Sequence, residues 1–241
     1  MARAFLVFVV LLNPGCAEVR PGFRPEEAPW SRDTAPPVPR GHLRVTLDIF
    51  EVPEKDRDAL QGAGKFAAPE VAVSGGATFE VHGFRVIPGQ ETMSASIHAD
   101  LRRAATVKAR TIFMVAVPGE PSRLELFHGA TVLGPVSVPI FKDRAKVGTV
   151  EIEPAAGGFA MKAKRLSKGL LEVRLAPWFV APSGKETVIE EAAADLVLDP
   201  GRPYAILAKT DAAETVGSVT LSKGSGPYRR CLLVVLTVED P

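Results

Sequence analysis

The chain has 241 residues, of which 46 % are hydrophobic and 24 % charged, and its formal net charge is +1. A charge this close to balance, without a basic stripe, argues against a nucleic-acid or other polyanionic partner. Two cysteines, Cys16 and Cys231, do not make a disulfide framework.

Residues 1–19 read as a signal peptide. Arg3 supplies a short positive region, Ala4 to Leu12 form an apolar run, and small residues surround Cys16. Asn13-Pro14 interrupts the run well before the about 20 residues that a membrane-spanning helix needs. The stretch "NPGC" resembles the bacterial lipoprotein signal through Gly15 and Cys16, although Asn13 stands where that signal carries leucine and Pro14 departs from it. The resemblance implies diacylglycerol on the Cys16 thiol and cleavage just before it, making Cys16 the lipid-attachment residue. Two alternatives stay open: ordinary cleavage after Ala17, which discards Cys16, and retention of Cys16 as a structural residue. Lipidation and plain cleavage both imply export.

Residues 20–41 form a Pro-rich linker containing Pro21, Pro25, Pro29, Pro36, Pro37 and Pro39, with almost no apolar periodicity. Proline-rich chain extends by about 3.1 Å per residue, so such a tether reaches roughly 70 Å from its anchor. A leader with no spacer role is the plainer reading.

From residue 42 to 241 the pattern is that of one β-rich domain. "LRVTLDIFEV" sends Leu43, Val45, Leu47 and Ile49 to one face and Arg44, Thr46 and Asp48 to the other, the signature of a half-buried strand. "PEKDRDALQ", Pro53 to Gln61, is a helix candidate with Pro53 suited to a first turn. Strand-like runs follow at "ATFEVHGFRV", "VKARTIFMVAV", "SRLELF", "VGTVEIEP", "LLEVRLAPWFV", "ADLVLDP", "YAILAKT", "SVTLS" and "CLLVVLTVE". A second helix candidate, "ETMSASIHADLRRAA", lies between the first two of these runs. Turn formers such as "PGQ", "PGEP", "AAGG", "PSGK", "DPGRP" and "KGSGP" separate the strands. The expected fold is all-β, a single large multi-stranded antiparallel domain built as a sandwich or an extended meander. A shift near "VPIFKDRAKVGTV" marks possible halves at 42–141 and 142–241.

The motifs that carry catalysis or metal binding are incomplete in this chain. "PSGKET" has Gly184-Lys185, but a phosphate loop needs glycine where Phe179 sits and Ser or Thr where Glu186 sits. His42, His82, His98 and His128 are scattered without metal-ligand spacing and read as surface or strand residues. No Gly-x-Ser-x-Gly elbow exists. Glu190 and Glu191, adjacent on a strand or turn, are expected on opposite faces rather than as a converging pair. Trp178 reads as packing at a strand end, and Cys231 in "RRCLLVVLTVE" as a buried small hydrophobe. No catalytic residue, metal or cofactor is expected.

The order of the strands resembles the C-terminal β domain of bacterial secretins, the outer-membrane rings of type II and type III secretion and type IV pili. "LRVTLDIFEV" looks like its opening strand and "VGTVEIEPAAGG", Val147 to Gly158, like its Val-Gly-Thr strand, with "LLEVRLAP", Leu170 to Pro177, as the paired strand that follows. "DPGRPYAIL" stands for the glycine turn and apolar strand, and "YRRCLLVVLTVEDP", Tyr228 to Pro241, for the closing strand. Ala208-Lys209 replaces the usual Gly-Gly, the lip segment is shortened to "AKTDAAETVGSVTLSKGSGP", and the Pro-rich tether replaces the preceding periplasmic modules. The resemblance implies an exported envelope lipoprotein at the outer membrane or in the periplasm. Its role would be structural or in assembly during protein secretion, with envelope proteins or further copies of itself as partners and a lipid anchor at the membrane. The competing expectation is a tethered β-sandwich binding module with no channel role, using loops such as "IPGQETMSAS" and "HGATVLGP". A hydrolase lacks any converging site.

Overall fold

The computed structural model describes residues 37–68, 70–71, 73–128, 135–209, 214–224 and 228–241. Cys16 and the signal segment 1–19 lie outside them, as does most of the linker. The domain is all-β in class, with every strand pair antiparallel.

β1 spans Leu43–Pro53; it alternates in exposure from Leu43 to Thr46 as its sequence predicts, but from Leu47 to Val52 it is buried on both faces, because a 3-10 run and a helix cover the side expected to be exposed. Pro53 ends the strand and occupies the N-cap of that run of 3-10 turns, Glu54–Phe66, whose first turn carries Glu54 and Asp56 at the positive end of its dipole. α1 (Ala77–Val81) and β2 (Phe84–Pro88) follow, then α2 (Met93–Ala104), β3 (Lys108–Ala116) and β4 (Pro121–His128). Both helix candidates are therefore helical, whereas "ATFEVHGFRV" is a strand only in its second half. Gly83, at φ +87°, turns the chain in a conformation that side chains rarely adopt, so the residues before it close as a short helix.

β5 (Val136–Lys142) and β6 (Ala145–Ile152) form a hairpin, followed by β7 (Ala156–Arg165) and β8 (Leu171–Val180). The hairpin spans the junction between the possible halves, and β1 pairs along its length with the last strand, so the halves share their sheets. Of "AAGG", expected as a turn, Ala156, Gly157 and Gly158 open β7 instead. A Cβ on Gly158 would lie 1.9 Å from the Leu124 carbonyl oxygen, so the glycine lets β4 approach where its register shifts between Glu125 and Phe127.

The remaining elements are β9 (Glu186–Val188), β10 (Ala194–Leu198), β11 (Pro203–Ala208), α3 (Val216–Thr220), β12 (Ser222–Lys223) and β13 (Arg230–Glu239). "SVTLS" is thus mainly helical rather than a strand. The Thr215 hydroxyl accepts from the Ser218 N–H while the Ser218 hydroxyl accepts from the Thr215 N–H, a reciprocal cap that starts α3.

The first sheet has the order β2-β11-β13-β1-β3 with β12 on β13; the second runs β10-β8-β7-β4 with β9 on β8; β5 and β6 pair only with each other among the described residues. One apolar cluster joins the two large sheets: Leu43, Val45, Leu47 and Ile49 from the first meet Phe159, Met161, Val173 and Leu175 from the second. On the other face of the first sheet, Phe50, Val52, Leu233 and Val235 pack against Leu60 of the 3-10 run and Met93, Ile97 and Leu101 of α2. β13 is consequently buried on both faces, which explains its nearly unbroken apolar sequence. Each fully buried Leu or Val contributes about 1.5–3 kcal/mol of transfer free energy, so this central strand concentrates the stability of the fold. Cys231 is buried here with its thiol pushed up by desolvation.

Candidate functional site

A concavity of about 660 Å³ lies between α1, the tip of the β5–β6 hairpin and the turn Glu190–Ala192. Ala77, Val81, Phe141 and Val147 give it an apolar floor, and Val147 is 58 % exposed. Lys142 and Arg144 rise on the hairpin side, Glu190 and Glu191 on the other. Opposite charges therefore face each other over an apolar strip.

The hairpin is held against α1 by His82, which is fully buried at the α1 C-cap. The Phe141 backbone N–H donates to His82 Nε2 over 3.1 Å, and Nδ1 lies 2.9 Å from the Thr78 carbonyl oxygen. A backbone N–H only donates, so Nε2 is unprotonated and the proton sits on Nδ1, donated to Thr78. Both partners belong to residues that line the cleft. Burial lowers the His82 pKa, with the Thr78 bond and the Glu191 charge opposing it, and the ring is neutral in this arrangement. Val138, Ile140 and Ile152 anchor the rest of the hairpin in the main core.

The hairpin tip carries strain. Asp143 and Arg144 have φ of 49° and 68°, the left-handed region that a two-residue hairpin turn demands and that Asn-Gly or Asp-Gly normally supplies. Non-glycine residues there cost of order 1 kcal/mol each, and such cost concentrates where a side chain is needed in place. Arg144 reaches the cleft at that cost.

Glu190 and Glu191 do not diverge as a strand would place them. The segment is a single 3-10 turn, with about three residues per turn instead of two, and both residues line the cleft. Glu190 also accepts from Arg174 Nη2 at 2.9 Å, and that same guanidinium reaches Asp195. The histidines stay apart: His42 sits in the turn before β1, His98 on α2 against Phe50, and His128 is exposed at the end of β4, 3.5 Å from Glu125. Among the described residues no three His, Cys, Asp or Glu side chains converge as a metal site. Trp178 is buried in β8 under the Arg123 guanidinium and donates to Glu186, as expected of a packing residue. Of the two candidate loops, "IPGQETMSAS" is the end of β2 running into α2, with Met93 buried, and most of "HGATVLGP" lies outside the described residues. Sequence reasoning missed the cleft because its walls come from separate segments, each unremarkable alone.

No protein-family model, no curated protein and no solved structure matches the chain. No described helix is long and apolar enough to cross a membrane.

Proposed function

We propose that this is an exported envelope protein, lipid-anchored at Cys16, that works without enzymatic chemistry as a tethered binding module. Its contact surface is the cleft between α1 and the β5–β6 hairpin. The observation that carries this reading is the strained tip at Asp143 and Arg144, which holds a cation opposite Glu190 and Glu191 above exposed apolar surface. An open trough with both signs of charge and an apolar strip suits a polypeptide segment rather than a polyanion. The test is selection of binding peptides from a random display library on the full-length protein, followed by titration against Arg144→Glu and Val147→Asp. Each substitution is expected to weaken the selected peptides about tenfold or more; equal affinity for all three proteins would overturn the reading.

A second reading is favoured by the edge of β6. This strand carries the Val-Gly-Thr stretch of the secretin resemblance, is exposed along nearly all its length, and has β5 as its one strand partner among the described residues. Such an edge is a template for pairing with another chain, which suits a secretin-like structural or assembly role at the outer membrane. In that reading β8, the strand expected to pair with it, is engaged with β7, β9 and β10 inside the second sheet. Native mass separates the two readings.

A further inference from the structure

A second charged site lies away from the cleft, where β1, β3, β12 and β13 end together. Glu51 is buried there, and three cations converge on it: Lys223 Nζ at 2.6 Å, Arg230 Nε at 3.7 Å and Arg110 Nε at 3.9 Å. Lys108 is directly opposite Glu51 in the strand register but is exposed and makes no ion pair with it. Alternation places Glu51, Arg110 and Arg230 on the face of the first sheet that looks toward the second; the Arg110 guanidinium donates to the Leu126 carbonyl of β4. The cluster therefore closes one end of the space between the sheets.

The charges do not balance. Among the described residues one carboxylate, Glu51, faces the three close cations, which leaves two of their charges uncompensated there. Arg230 spends one nitrogen on the Glu51 and Thr106 carbonyls, while the Nε groups of Arg110 and Arg230 are buried without a hydrogen-bond partner among the described residues. Excess cations held at a partly dry end of a core are costly unless an anion joins them, and forked guanidinium donors match the oxygens of a phosphate group. We propose that Arg110, Arg230 and Lys223 form a binding site for a phosphate group, with Glu51 as the counter-charge that keeps the three cations together when the site is empty. The two uncompensated charges match a phosphate dianion. The phosphate belongs either to a free small molecule or to a lipid headgroup; both present the same oxygens.

The experiment uses the full-length protein with Cys16→Ala, so that no acyl chain contributes. Thermal unfolding is followed as inorganic phosphate replaces chloride at constant ionic strength, and phosphate affinity is measured by calorimetry. The proposal expects a saturable rise in Tm, an about tenfold loss of affinity in Lys223→Gln and in Arg110→Gln, and a gain in Glu51→Gln, which frees one more positive charge. A purely structural ion cluster gives no gain in Glu51→Gln. Should that variant fail to fold, the Lys223 and Arg110 variants decide alone. Flotation with phosphatidylglycerol vesicles, competed by inorganic phosphate, identifies a headgroup as the source; phosphate binding without flotation identifies a free molecule. Equal stabilisation by phosphate and chloride, or unchanged phosphate affinity in both variants, would overturn the proposal.

Discussion

Phe141 donates its backbone N–H to His82 Nε2 over 3.1 Å, tying β5 to the end of α1 across 59 positions of sequence. The bond fixes the hairpin against α1 at the cleft, because Phe141 and Thr78, the two residues that His82 joins, both line it. His82→Phe keeps an aromatic ring but removes both polar contacts, leaving the Phe141 N–H without this acceptor. Loss of about 2–3 kcal/mol is expected, measured by urea unfolding, with hydrogen exchange at the Phe141 amide accelerating more than exchange in β13.

The same chemistry makes stability sensitive to acid. Burial holds the His98 pKa down to about 4, with Arg102 adding to the effect, and burial lowers His82 as well, both from 6.5. The folded protein therefore binds fewer protons than the unfolded chain between about 4 and 6.5, so stability present above that window is lost as the pH falls through it. For His98, half-buried and screened by solvent, the loss is on the order of 1–2 kcal/mol. His98→Gln should flatten the curve in that interval when unfolding is followed from pH 7 to 4; an unchanged slope would contradict the assignment.

Relief of the strained tip should separate stability from binding. Replacing Asp143-Arg144 by Asn-Gly supplies residues that adopt left-handed φ readily, and a gain of about 1 kcal/mol is expected. The same change removes the Arg144 side chain from the cleft. Chemical denaturation should show the gain while peptides selected on the wild-type protein bind about tenfold more weakly.

Gly158 tests the close approach of β4 and β7. A Cβ there meets the Leu124 carbonyl at 1.9 Å, and backbone on both strands must move. Gly158→Ala is expected to cost about 2–3 kcal/mol by overpacking, seen as a lowered denaturation midpoint. Gly148, whose Cβ would meet nothing within 4 Å, is the control: Gly148→Ala should change little.

What was legible in the sequence follows from range. Leu43, Val45, Leu47 and Ile49 announce β1 because strand alternation is local, and the apolar run at Leu232 to Val238 announces a strand covered on both faces. Gly157-Gly158 misled because their purpose is set by Leu124 and Phe127 on another strand. "ATFEV" misled because Gly83, beyond its end, decides that it closes as a helix. The cleft escaped for the same reason: the Phe141 amide that claims His82 and the acids that face Arg144 are distant in sequence, and only the packed hairpin brings them together. β5 carries Pro139, which blurs its pattern and is tolerated in a strand whose one strand partner among the described residues is β6.

The most direct test is the native mass of the full-length protein extracted from membranes in mild detergent, by light scattering coupled to size exclusion, with Cys16→Ala beside it. A tethered binding module predicts a monomer or dimer that Cys16→Ala releases from the membrane fraction. A ring of roughly a dozen subunits that stays membrane-bound without Cys16 would contradict it and turn attention to the edge of β6 that has no strand partner among the described residues.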